Sequence, residues 1–148
     1  MQLTNIVIEE YDVDDVFDPE DNIRAGVQHL AWLMDYWAGE FESTEEQTKF
    51  TLAAYNVGQG HVRDAMRLAE KYDEDSHDWE VIAKYLLLKS QSEYYNDEVV
   101  QFGYCRGTEP VNYIKQIMNR YEQYQLFFSD EERSVNDSTI IIEAGLVH

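Results

Sequence analysis

Ala53-Ala54-Tyr55-Asn56-Val57-Gly58-Gln59-Gly60-His61-Val62 is the stretch that most restricts what this chain can fold into. Its first residues carry an apolar helical run, and the Gly-x-Gly that follows supplies the backbone freedom to stop the helix and turn at once. Small Ala53 and Ala54 let a second helix approach closely, so the stretch calls for a helical neighbour. Tyr55 and Asn56 stand where that helix ends and a groove can begin. The residues alone leave two accounts of them open: a packed tyrosine with an ordinary helix-end asparagine, or a pair that holds a polar ligand.

The remaining helices are read from start signals and apolar spacing. Asp18-Pro19-Glu20-Asp21 opens one, with a capping aspartate, a proline suited to the first turn and acids that complement the dipole. Ile23, Val27, Leu30, Met34 and Trp37 follow on one face, which is expected to be core, until Gly39. Ser43 with Glu46, or Thr44 with Gln47, has capping-box spacing ahead of Phe50, Ala53, Ala54 and Val57. A third helix follows directly with Val62, Ala65, Met66 and Ala69, and a shorter fourth carries Trp79, Ile82, Tyr85 and Leu86. Residues 88–107 lack a clean period, and Gly103 to Gly107 reads as a loop. Thr108-Glu109-Pro110 starts a fifth helix with Val111, Ile114, Met118 and Tyr121 as its stripe. The fold class is therefore all-α, about five helices. The segment 127–148 is expected to be an acidic, loosely ordered tail containing the β-prone Thr139 to Ile142.

Composition removes several functions. Lys and Arg total 11 against 30 Asp and Glu, a net charge of -19 that repels phosphate backbones and anionic lipid, so no nucleic acid is expected as partner. No stretch is long and apolar enough to insert in a membrane. The first ten residues lack the basic start of a secretory signal, and taken literally this reads as a cytoplasmic chain. The acids from Glu9 to Asp21 do not form a calcium loop. A loop placed at Asp12 puts Phe17 where glycine is needed and Ile23 where the bidentate Glu belongs. His29, His61, His77 and His148 are scattered without metal-ligand spacing, and Cys105 stands alone, so neither a metal nor any other cofactor is implied. What remains are polar residues at helix ends: Tyr55 and Asn56, the Tyr104/Arg106 loop, and Glu109 with Tyr113 one helical turn on.

Four segments, in order, give those residues a context. Met1-Gln2-Leu3-Thr4 resembles the end of a Gly-Leu-Met-Gln-Leu motif, and Asp18 to Gly26 an Asp-Pro-x-x-Asn-Ile-x-x-Gly helix start. Ala53 to Val62 resembles Ala-Tyr-Asn-x-Gly-x-Gly, and Gly103 to Tyr113 a Gly-Tyr-x-Arg-Gly followed by Glu-x-x-x-Tyr. Together, over residues 1 to about 125, they resemble the Slt-type lytic transglycosylases, most nearly the membrane-bound murein transglycosylase F group. The resemblance implies a lysozyme-like helical domain, of which residues 1–126 are the C-terminal part, binding peptidoglycan glycan strands. In that family one Glu protonates the glycosidic oxygen and then acts as base while the muramic acid C6 hydroxyl attacks C1, giving a 1,6-anhydro end. A tethered nucleophile makes a second carboxylate unnecessary.

The same resemblance sets expectations for single residues. Tyr55 orients the catalytic Glu, supported by Glu109 across the cleft; Gln2, Asn56, Tyr104 and Tyr113 contact the glycan. The catalytic Glu itself is not among these residues: its Glu-Ser motif is expected upstream of Met1, and neither Glu9, Glu10 nor Glu109 matches it. The chain alone is therefore expected to be inactive, with a non-catalytic glycan-binding or scaffold module as the alternative. The family's compartment, the periplasm or the inner face of the outer membrane, replaces the cytoplasmic reading. Loss of preceding helices is expected to open part of the Ile23 to Trp37 and Phe50 to Val57 faces and to lead to self-association or marginal stability.

Overall fold

The computed structural model describes residues 5–11, 15 and 17–145, with side chains described for residues 8–11, 15 and 17–128. Gln2 lies outside them. Seven helices and no strand occur among the described residues: α1 (Asn5–Glu10), α2 (Pro19–Tyr36), α3 (Thr44–Val57), α4 (Gln59–Lys71), α5 (Trp79–Leu88), α6 (Ser92–Tyr95) and α7 (Thr108–Gly145). Two of these exceed the five read from the sequence. Both α1 and α6 are too short to show a repeat of apolar spacing.

The chain divides into two units, Met1–Ile114 and Lys115–His148. In the first, α3 packs against α2 and α4, and α4 against α5. The helix starts follow the sequence. Asp18 accepts hydrogen bonds from the backbone N–H of Glu20 (2.9 Å) and Asp21 (3.0 Å). Ser43 accepts from the Glu46 N–H at 3.4 Å, but the Glu46 carboxylate does not reach back to complete a capping box. It accepts instead from Lys49 and from the first N–H of α5, at Trp79 (2.8 Å), so one side chain ties α3 to α5. Gly58 ends α3 and begins α4 by itself at φ 92°, ψ 139°, a conformation nearly restricted to glycine.

The core contains Leu33, Trp37, Phe50, Ala53, Ala54, Val62, Ala65, Leu68, Ile82, Leu86 and Ile114, all essentially inaccessible. Of the face expected on α2, Ile23 and Val27 are each 56% exposed and Leu30 and Met34 are half-buried. The fully buried positions of α2 and its C-cap are Ala25, Gly26, Leu33 and Trp37, and Met34 meets α3 through Gln47 and Thr51. Side-chain size explains the difference, because apolar spacing weights Ile and Val over Ala and Gly, whereas close helix approach favours the small pair. Of the two faces expected to be partly open, that of α2 is. On α3 Phe50 is buried and Val57 half-buried, because α2, α4 and α5 surround that helix.

The second unit continues α7. Tyr121, expected on an apolar stripe, is exposed, as are Tyr124, Leu126, Phe127 and Phe128. The backbone stays helical through Gly145, including the Thr139 to Ile142 stretch read as β-prone. Strand propensity expresses itself only where a partner strand exists. No helix among the described residues is long and apolar enough to cross a membrane.

Candidate active site

Tyr55 occupies the last turn of α3, and Gly58 three residues on prevents the helix from running over it. The ring is half-buried. Its hydroxyl is shut away from solvent and finds no hydrogen-bond partner among the described residues. A buried hydroxyl without a partner costs about 1–3 kcal/mol. Burial raises the Tyr55 pKa, and the Tyr113 phenol close by raises it further, so the group stays a neutral donor. The structure thus brings together two of the expected site residues, Tyr55 on α3 and Tyr113 in the first turns of α7.

His29 on α2 completes the wall and was not singled out in the sequence as a site residue. Its ring lies 5.7 Å from that of Tyr55, and its Nδ1 is likewise buried and without a partner among the described residues. Burial lowers its pKa, against an opposing push from Glu10, so the imidazole is held toward its neutral form. Trp32 stacks on His29 at 5.9 Å with 10° between planes, and Tyr36 follows at 5.5 Å from Trp32. His29, Trp32 and Tyr36 are spaced i, i+3 and i+7, so one face of α2 carries all three.

The other expected residues sit apart. Asn56 is exposed at the end of α3. Tyr104 is exposed and meets Tyr95 edge-on at 5.9 Å. Glu109 is exposed and accepts from Arg106 at 3.4 Å. No hydrogen bond or ring contact among the described residues joins these three to Tyr55, and none joins a carboxylate to its hydroxyl. Cys105 is buried, which raises the thiol's pKa and suits the small apolar role its position suggested.

A second group was invisible in the sequence as a unit. Asp64 and Lys89 are fully buried and paired at 2.6 Å, and Lys89 Nζ lies 3.1 Å from His61 Nδ1. Asp64 also pairs with Arg67 and accepts from the backbone N–H of Gln101 (2.8 Å) and Phe102 (2.9 Å). Burial opposes its charge, but the Gln101 N–H, Lys89 and the Phe102 N–H outweigh that and keep the carboxyl below its usual range. The only signal was a charge set within the apolar spacing of α4, three residues from His61 and four from Leu68. This network pins the 99–105 segment: Arg67 Nε donates to Val99 O at 2.8 Å and the Cys105 N–H to Lys89 O at 3.3 Å.

Comparison with known proteins places the chain among its relatives. The family model described as "Transglycosylase SLT domain" matches residues 1–78. A membrane-bound lytic murein transglycosylase F of Desulfosudis oleivorans is 42% identical over 122 residues, 82% of this chain and 26% of that protein. Its namesake in Vibrio cholerae is 35% identical over 148 aligned positions, 95% of this chain and 27% of that protein. A membrane-bound lytic murein transglycosylase F 1 of Alkalilimnicola ehrlichii is 36% identical over 135 residues, 91% of this chain and 27% of that protein. The chain therefore spans about a quarter of the length of the curated relatives it matches. With a helical core and a family match over more than half its length, the chain belongs to the transglycosylase SLT domain family.

Proposed function

We propose that this chain forms the Tyr-Asn side of a peptidoglycan lytic transglycosylase site that leaves 1,6-anhydromuramic acid ends, working in the periplasm or at the inner face of the outer membrane. The observation that carries the reading is the buried hydroxyl of Tyr55 beside the Nδ1 of His29, neither with a partner among the described residues. A protonated carboxyl is the group that both would complete. It accepts from the phenol on one oxygen, and a neutral imidazole beside it adds no charge that would drive off its proton. Such surroundings hold an acid ready to donate near neutrality and to take the proton back when the C6 hydroxyl attacks. Tyr113 and Glu109 line the approach, Asn56 holds an acetamido or hydroxyl group, and Tyr104 and Gln2 extend the contact with the strand.

The acid in this reading is a Glu supplied from outside these 148 residues, and the chain alone does not cleave glycan. Incubation with isolated sacculi followed by muropeptide analysis tests this directly: release of 1,6-anhydro products by the chain alone contradicts it. In a chain that carries a Glu-Ser segment ahead of Met1, Tyr55→Phe lowers product formation. Unchanged rates in that variant remove Tyr55 from the mechanism. The absence of a carboxylate on Tyr55 among the described residues also favours a second reading, a non-catalytic glycan-binding module. Failure of the chain to cosediment with peptidoglycan eliminates it.

A further inference from the structure

Residues 99–105 form neither helix nor strand, yet one buried cluster holds their backbone along its length. Val99 O accepts from Arg67 Nε at 2.8 Å. The Gln101 and Phe102 N–H groups donate to the two oxygens of Asp64, at 2.8 and 2.9 Å. The Cys105 N–H donates to Lys89 O at 3.3 Å, and the Lys89 ammonium returns to Asp64 at 2.6 Å. An ammonium has donors only, so the neighbouring His61 Nδ1 at 3.1 Å is its acceptor.

Such a cluster is a poor way to gain stability, because packed apolar residues in place of a buried ion pair are often neutral or better. What the charges supply is geometry. One carboxylate accepts from two successive amides only when both point at it, and charge-assisted bonds of this kind fix the chain where they form.

Only Gly103 and Tyr104 stand between the anchors at Phe102 and Cys105. Gly103 takes φ 66°, a left-handed conformation that suits glycine. Beyond it Tyr104 lies 56% exposed and Cys105 is buried. Tyr95 meets the Tyr104 ring edge-on at 5.9 Å. Tyr104 is thus an exposed ring on a span tied down on both sides, and little freedom remains to be lost when a ligand settles on it.

We propose that Asp64, paired with Lys89, is a positioning residue: it acts through the Gln101, Phe102 and Cys105 anchors to hold Tyr104 ready for the strand. Both side chains are fully buried and do not themselves touch it. This rests on the glycan reading given above, in which Tyr104 contacts the strand.

The test is a double-mutant cycle on the 148-residue chain, read by cosedimentation with isolated sacculi. Asp64→Leu with Lys89→Met removes the anchors without stranding either partner of the pair. That chain keeps its helical circular dichroism and a cooperative melt, yet binds about tenfold more weakly, the upper range for one ring contact. Tyr104→Ala, a change at an exposed side chain, weakens the unaltered chain by a similar factor and adds almost nothing in the double variant, because both changes remove one contact. Asp64→Asn keeps the side-chain shape but replaces one acceptor by a donor, and shows the same lack of additivity.

A double variant that binds like the unaltered chain, or losses that simply add, overturn the positioning role and leave the glycan reading in place. Hydrogen exchange on the unaltered chain needs no variant to fold: the Gln101 and Phe102 amides are protected, and fast exchange there overturns the anchoring. Failure of the unaltered chain to cosediment removes the glycan reading and this proposal with it.

Discussion

At the scale of single residues, the Asp64 carboxylate decides more than any other group. Its removal strands the Lys89 ammonium in the interior, beside His61, and frees the Gln101 and Phe102 N–H groups. Breaking one partner of a buried ion pair costs about 3–5 kcal/mol, so Asp64→Ala is expected to lower unfolding free energy by that order in urea titrations. A double variant, Asp64→Leu with Lys89→Met, recovers part of the loss because no charge remains buried. The pH dependence has a definite sign. The folded carboxyl titrates below its ordinary 3.8, so between the two values the unfolded chain binds more protons. This contribution is present above 3.8 and fades as pH falls through the lowered folded value, which urea melts from about pH 5 to about pH 2 register as falling stability. Tyr55 behaves oppositely to most buried hydroxyls. With no partner among the described residues, Tyr55→Phe is expected to change stability by less than about 1 kcal/mol or to raise it, and a clear drop in Tm reveals a partner.

At the scale of elements, two glycines fix how the helices meet. Gly107 precedes α7, and a Cβ there would lie 2.0 Å from the backbone oxygen of Leu86 on α5. Backbone cannot swing aside as a side-chain tip does, so Gly107→Ala is expected to cost about 1–3 kcal/mol or more. At Gly60 the three nearest atoms all belong to the exposed Phe102 ring, a side chain and not backbone. Gly60→Ala is therefore the milder change, and circular dichroism melts of the two variants rank them. Much at this scale was legible in the chain. The Asp18 cap, the Ser43 start, the Gly58 break and the burial of Val62, Ala65, Met66 and Ala69 on α4 and of Trp79, Ile82, Tyr85 and Leu86 on α5 all follow from local signals. The α2 face was not, because Ile23 and Val27 carry the strongest apolar signal while Ala25 and Gly26 carry the packing. For the candidate site, Tyr55 and Asn56 were marked by their position before Gly58. His29 and Asp64 looked like ordinary helix residues, since their partners lie on other helices.

At the scale of the whole molecule, two large apolar side chains one turn apart on α2 face solvent in a chain carrying -19 charges. Apolar exposure favours association and charge opposes it, and only the second is screened by salt. The chain is therefore expected to self-associate in sedimentation equilibrium more strongly at about 0.5 M salt than at about 0.05 M, the Debye length shrinking several-fold over that range. Ile23→Lys with Val27→Lys is expected to leave a monomer at both. A wild-type chain that stays monomeric in high salt contradicts the expectation.

The sequence by itself determined the helical class, most helix starts, the turn at Gly58 and the Tyr-Asn pair in front of it, because capping, glycine conformation and apolar spacing act over a few neighbouring residues. Only the tertiary structure decided which polar groups lack partners and which find them. Tyr55 and His29 meet across α3 and α2, each with a buried polar atom that has no partner among the described residues, and Asp64 reaches from α4 to Lys89 and to the Gln101 and Phe102 amides. Those pairings join residues 25 or more positions apart, with the closest being Asp64 and Lys89. Desolvation sets their energies, and desolvation is a property of packing that no local pattern encodes.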